Sequence, residues 1–200
     1  MKRYYFSIRF LPERADYELL AGRCISTMHG FLSQERNHSF KNSVGVAFPH
    51  WNEKNISDVT TFVSEHESVL TGLFYQPYFS TMMKEGLFDL SPIALVPEDV
   101  VDARFVYNKT IQKIFNGSKK RRIKRALERA EAQGTGYVPK PAEDREFEPF
   151  HSIPIDSHST GQQFILHIQR QFTDNVGDEN QFNSYGFASN ERWTGTVPLF

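Results

Sequence analysis

One cysteine, Cys24, stands in 200 residues, so no internal disulfide can form and a thiolate metal site lacks ligands. No apolar run approaches the roughly 20 residues of a membrane span. The opening MKRYYFSIRF alternates between apolar and polar positions, so it does not read as a signal peptide. The expected setting is a reducing cytoplasm, with no membrane partner. The histidines include no pair at zinc spacing on a helix, and His151 and His158 are too far apart to suggest a shared ion. A Gly-rich phosphate loop and a Gly-x-Ser-x-Gly elbow are both missing. No metal and no cofactor is therefore expected. A net charge of −1 argues against a protein that coats nucleic acid everywhere, but it allows recognition through one basic face.

That face is easy to find. Between Lys119 and Arg129 lie seven basic residues and one acid, Glu128, a local charge of +6 that leaves −7 for the rest of the chain. Asn116-Gly117-Ser118 offers a turn and a capping side chain, and Gly134 and Gly136 offer a stop. The pattern predicts a helix over about 118–133. Ile123, Ala126, Leu127 and Ala130 make one apolar stripe at i, i+3, i+4, i+7. Arg121, Arg122, Arg125 and Arg129 project from the other side. An arginine face suits a polyphosphate, and a solvated surface helix has the same pattern.

At 39% hydrophobic and 24% charged, the chain has the balance of a globular protein, and 18 Phe favour strands and aromatic packing. Tyr4, Phe6, Ile8 and Phe10 alternate as a half-buried strand, and Tyr17 to about Gln34 carries a helical apolar face. Gln34–Ser43 reads as a loop, and Val44–Phe48 and Asp58–Ser64 as strands. Glu65–Tyr75 reads as a second helix and Leu87–Val96 as an extended segment bent at Pro92. The order β-α-β-β-α-β is the ferredoxin-like pattern. The expected fold is α+β: a ferredoxin-like (RRM-like) domain at 1–96, then a region at 97–200 with the arginine-rich helix and a β-hairpin. The aromatic RNA-binding signature of RNA-recognition modules is missing from the first sheet.

Beyond residue 97, Ala103–Asn108 reads as extended and Pro139–Pro154 as a proline- and acid-rich linker. Gln163–Gln171 alternates, and Phe182–Ala188 is expected to return beside it as the other hairpin arm. Taken singly, His29 falls about 110° from the centre of its helix's apolar face. That is a boundary position, open to a structural or a functional reading, and Gly30 follows it. Asp156–Gln163, DSHSTGQQ, is a dense polar cluster that also reads as a turn into a strand.

Together, helical His29, GVAFP at 45–49, the arginine helix, S-x-S-T-G-Q at Ser157–Gln162, Tyr185-Gly186 and a VP-x-F end at Val197–Phe200 resemble a known family. It is the CRISPR repeat-processing endoribonuclease of type I-F systems, and the likeness runs through nearly the whole chain in the same order. The resemblance implies a metal-independent cut in precursor CRISPR RNA at the foot of a repeat hairpin. His29, Ser157 and Tyr185 match the catalytic positions, and Ser159 and Thr160 match contacts to the nearby backbone. Phe164 matches an aromatic that stacks on the base beside the cut. The arginine helix is implied to lie along the hairpin, with Arg121, Arg122, Arg125 and Arg129 on phosphates and Lys119, Lys120 and Lys124 flanking them.

One departure concerns an Arg-x-Gln pair that reads the stem foot in the family. Here either Arg104 supplies the arginine from a shifted place, or Tyr107 and Lys109 occupy the two positions. This departure suggests a divergent branch, such as transposon-associated type I-F systems. Implied partners are the repeat hairpin, the backbone and large subunits of a type I-F RNA-guided complex, and a transposition-targeting protein in that branch. The alternative is a non-catalytic subunit that only anchors the guide-RNA hairpin. A DNA-binding module is disfavoured because no helix-turn-helix pattern accompanies the basic helix.

Overall fold

A computed structural model describes residues 2–136, 147–156, 161, 163–173, 181–190 and 192–200, without the side chains of Asn116, Ser118, Lys119 and Arg122. The first sheet is organised around β1, Tyr4–Phe10. Alternation turns Phe6, Ile8 and Phe10 into the core and leaves Arg9 exposed. On one side β1 pairs antiparallel with β3, Val59–Ser64, which in turn pairs with β2, Val44–Ala47. On the other side it pairs with β4, Phe88–Leu90, and β5, Ala94–Leu95. The order β2-β3-β1-β4 is that of a ferredoxin-like sheet, as its pattern predicts. Pro92 divides the expected single extended segment in two, because proline supplies no amide to the ladder.

Three helices accompany this sheet. α1, Tyr17–Leu32, starts where the Asp16 carboxylate accepts from Leu19 N at 2.9 Å, and it buries Ala21, Cys24, Ile25, Met28 and Phe31. α2 spans Glu67–Phe74. Residues 76–86, which the apolar pattern leaves unassigned, hold a third helix, α3, Pro77–Lys84, with proline in its first turn and Phe79 fully buried. The expected loop after α1 contains a short 3-10 helix at Glu35–Phe40.

The second sheet has the order β7-β8-β6-β9. Its strands are β6 (Asp102–Tyr107), β7 (Phe150–Asp156), β8 (Gln163–Phe172) and β9 (Val197–Pro198). Two expectations are corrected here. The C-terminal part of the supposed linker is a strand, and Pro154 is tolerated because β7 lies at the sheet edge; residues 137–146 lie outside the described residues. Phe182–Ala188 is not the hairpin partner of β8, which already pairs with β7 and β6. It spans the two sheets instead: Phe182 N donates to Asn42 O at 3.0 Å just before β2, Val46 N to Gly186 O at 2.9 Å, and Ala188 bridges Val106 of β6.

α1 is wedged between the sheets. Gly22 meets β7 so closely that a Cβ there would lie 2.1 Å from Pro154 O. Arg23 pairs with Asp156 at 2.6 Å, and His151 reaches Glu18 at 3.2 Å and Asn52 O at 2.8 Å. One core runs through both sheets, with Phe48, Trp51, Phe105 and Phe187 in ring contact across it.

The arginine helix, α4, spans Asn116–Ala132. It begins earlier than expected, with Phe115 at the N-cap and no side-chain cap bond, so Asn116-Gly-Ser lies inside the helix rather than before it. Its stop is as expected. Gly134 adopts φ +65, Thr135 N donates to Ala130 O at 2.9 Å and Gly134 N to Glu131 O at 3.1 Å, a Schellman closure. Its main neighbour is the preceding 3-10 turn, Ile111–Ile114. Ile123 and Leu127 of the apolar stripe remain 36% and 41% exposed.

Candidate active site

His29 lies in the last turn of α1, half-buried, as its boundary position on the helix predicts. Its Nδ1 sits 2.9 Å from the Ser184 carbonyl. A carbonyl can only accept, so Nδ1 carries the hydrogen, and in the neutral ring Nε2 keeps a free lone pair. The imidazole also stacks on Tyr185, with centroids 4.5 Å apart and planes inclined by 24°. Hydrogen bond and ring contact together fix the orientation of a group able to take or give a proton.

The loop bearing Tyr185 is placed by close approach. Gly186 has φ +80, and a Cβ there would sit 2.5 Å from Val46 Cγ2, so only glycine lets the loop lie on β2. Asn183 Oδ1 accepts from Tyr185 N at 2.8 Å and Phe187 N at 3.2 Å, which closes the turn. Burial raises the Tyr185 phenol above its ordinary pKa, so it is a neutral hydroxyl at neutral pH. Phe164, at the start of β8, meets the Tyr185 ring edge-on at 5.6 Å.

Ser157, Ser159 and Thr160 lie outside the described residues. Their flanks are placed: Asp156 and Gln163 pair across β7 and β8, and Asp156 is tied to Arg23 on α1. Arg23 precedes His29 by six residues, roughly 9 Å along the helix. β7 thus ends at Asp156 beside the helix that carries the histidine.

The three residues proposed for the stem foot separate into two groups. The Arg104 guanidinium turns inward and donates to Ser189 O at 3.0 Å and Trp193 O at 3.4 Å, and its buried Nε has no partner among the described residues. Tyr107 and Lys109 instead line an open cleft of about 440 Å³, with Lys109 Nζ 5.7 Å from the Tyr107 ring centroid. Burial raises the Tyr107 phenol, and Tyr185 adds to the shift. Asn183 and Tyr185 form another wall of this cleft, and Arg192 and Trp193 a third. Neither Arg192 nor Trp193 is singled out at the level of sequence. The available signal was a cationic residue next to an aromatic one.

On α4, Lys120, Arg121, Lys124, Arg125 and Arg129 are exposed. Lys124 approaches Glu128 at 3.9 Å, and Arg129 Nε donates to Arg125 O at 3.1 Å. The backbones of Lys119 and Arg122 lie on the same helix. Among the described residues no group of three or more His, Cys, Asp or Glu is placed to hold a metal ion. No helix among them is long and apolar enough to cross a membrane.

A family model described as "CRISPR-associated protein (Cas_Csy4)" matches residues 5–200. No curated protein matches the chain. Similar solved structures include a CRISPR RNA processing endoribonuclease Cas6b, at 12% identity and TM-score 0.31 with all of both chains covered. Another is a RAMP protein binding different RNA substrates, at 10% and 0.36, again over all of both chains. A third is the product of a Cas6-related gene from Pyrococcus furiosus, at 12% and 0.35 over 98% of each. At these TM-scores the structures carry no weight for function.

Proposed function

Since the chain belongs to the CRISPR-associated Cas_Csy4 family, we propose that it binds a CRISPR repeat hairpin and cuts precursor CRISPR RNA at the stem foot without a metal. The observation that carries this reading is the His29 geometry: Nδ1 is engaged by Ser184 O, the ring stacks on Tyr185, and Nε2 has no hydrogen-bond partner among the described residues. RNA brings its own nucleophile, the 2′-OH next to the scissile phosphate. His29 Nε2 takes the 2′-OH proton as that oxygen bonds to phosphorus, with water protonating the departing 5′ oxygen, or, as the imidazolium, it gives a proton to the 5′ oxygen while water takes the one from the 2′-OH. The P–O5′ bond breaks, giving a 2′,3′-cyclic phosphate and a 5′-hydroxyl.

Ser157 is proposed to hold the 2′-OH in line, a positional contribution. Tyr185 holds the imidazole plane and, as a neutral phenol, can donate to a phosphate oxygen. Ser159 and Thr160 contact the adjoining backbone, and Phe164 stacks on the base beside the cut. Arg121, Arg122, Arg125 and Arg129, flanked by Lys119, Lys120 and Lys124, hold the stem phosphates. Tyr107 and Lys109, which line the cleft, are favoured over Arg104 as contacts to the stem foot. The product hairpin stays bound, and the protein caps one end of a type I-F RNA-guided complex in the cytoplasm, of the defence or the transposition branch.

The test is incubation with a repeat hairpin RNA in EDTA, alongside an RNA carrying 2′-deoxy at the cut. Cleavage of the first and not the second is expected. A wild-type protein that binds and never cuts would leave only the hairpin-anchoring role. A need for divalent metal, or cutting of the deoxy RNA, would sink the mechanism.

A further inference from the structure

Beyond the catalytic pair, the cleft between the Tyr185 loop and the entry to α4 has a wall that the proposed chemistry does not use, built from Ser189, Asn190, Arg192 and Trp193. It is a rigid turn. Ser189 N donates to Trp193 O at 2.8 Å, while Ser189 Oγ accepts from Arg192 N at 3.1 Å and Trp193 N at 3.0 Å. From beneath, the Arg104 guanidinium grips the Ser189 and Trp193 carbonyls. Upstream, Tyr107 N donates to Ala188 O and Ala188 N to Phe105 O, both at 2.9 Å, so the turn is joined to β6.

This turn presents Arg192 stacked on Trp193, its guanidinium carbon 4.6 Å from the indole centroid. Across the cleft are Lys109 and Tyr107. No carboxylate is found among the described lining residues. Two cations and two aromatic rings are the elements of a single-stranded nucleic-acid site: the rings and guanidinium receive a base, and the ammonium a phosphate. The order of the walls matters too. One wall is Tyr185, which stacks on His29, and another leads within a few residues into α4. The cleft therefore lies between the ring stacked on His29 and the entry to the arginine helix.

We infer that Arg192 and Trp193, with Lys109 and Tyr107, form a subsite for one unpaired nucleotide flanking the hairpin foot, either 5′ of the stem or 3′ of the cut. This rests on the hairpin-binding reading and adds to it a site for the single-stranded flank. Arg104 is then a positioning residue, holding the turn from below rather than touching RNA.

The test measures affinity for three RNAs made uncleavable by 2′-deoxy at the cut: the bare hairpin, the hairpin with a 5′ flank and the hairpin with a 3′ flank. In the wild type, one flank is expected to raise affinity about tenfold over the bare hairpin, the scale of one base stacked on aromatic side chains. That ratio should fall toward one in Arg192→Ala and in Trp193→Ala, and in an RNA abasic at the flanking position. The flank that carries the effect identifies which strand occupies the cleft. A wild-type ratio of one for both flanks, or a ratio that both variants retain, overturns the subsite while leaving hairpin recognition standing. A second measurement, quenching of tryptophan emission by a single-stranded tetranucleotide and its loss in Trp193→Phe, needs no hairpin. Quenching without hairpin binding would keep the subsite and remove the hairpin reading; hairpin binding without quenching or flank effect would do the reverse.

Discussion

α1 and α4 are nearly equal in length, 16 and 17 residues, and they are stabilised in opposite ways. α1 has a capped N-terminus and eight buried residues, and it is gripped between two sheets. α4 has no side-chain cap at its start, an apolar stripe still partly open, and a well-formed C-terminal closure. Tertiary packing holds the first, while local bonds and one adjoining turn hold the second. The difference follows the division of labour proposed for them. A proton-transferring histidine needs a fixed position, to which α1 contributes the packing. A phosphate-binding face needs exposed charge and freedom to meet its ligand, which α4 keeps by remaining off the core.

The largest expected effect separates chemistry from holding. His29→Ala should slow single-turnover cleavage by about 10²–10⁴-fold, the usual worth of a general acid–base group, with little change in hairpin affinity. Next, Arg122→Ala combined with Arg125→Ala should weaken hairpin binding by at least about tenfold per arginine, since a charge-assisted hydrogen bond is worth about 1.5–3 kcal/mol. Titration against salt should show a log–log slope shallower by about 0.7–0.9 for each phosphate that is no longer neutralised. Cleavage at saturation should change much less. Abolished cutting with binding intact in this pair would erase the contrast between the helices.

A stability pair sharpens the comparison. Gly22→Ala in α1 places a methyl against Pro154 O and should cost about 1–3 kcal/mol by denaturant melting. Gly117→Ala in α4 meets only the far end of Arg121, 4.0 Å away, and should be neutral or stabilising by a few tenths of a kcal/mol. Equal costs would mean that α4 is packed after all.

The smallest effect concerns how α4 is joined to the body. Phe115, at its N-cap, stacks on His167 at 5.0 Å, and His167 Nδ1 lies 3.0 Å from Ser152 Oγ. Burial lowers the His167 pKa from 6.5. The unfolded imidazole therefore binds its proton at higher pH than the folded one. As pH drops below about 6.5 the unfolded state holds more protons, and stability falls until the folded pKa is passed. Urea melts from pH 7.5 to 5 should show this decline and lose part of it in His167→Phe.

Much of this was legible in the chain. The alternation of Tyr4–Phe10 names β1 and its inward residues, and the Gly134 stop ends α4 where expected. The boundary position of His29 is visible from helical spacing alone. Phe182–Ala188 misled because its apolar content suits a strand, whereas its partners are set by Gly186 lying on β2. The inward turn of Arg104 was not legible, because an arginine on a strand gives no hint of the Ser189 and Trp193 carbonyls some 85 and 89 residues away.

By itself the sequence determined the periodic elements, their order, and the concentration of positive charge on one helix, because each is a property of neighbours in the chain. The tertiary structure alone decided that His29 meets Ser184 and Tyr185, that Arg104 faces inward, and that the stripe of α4 finds little to cover it. Those outcomes depend on contacts between segments up to about 155 residues apart. No local pattern encodes them: loop closure and close packing choose among many partners, and only the folded chain shows which were taken.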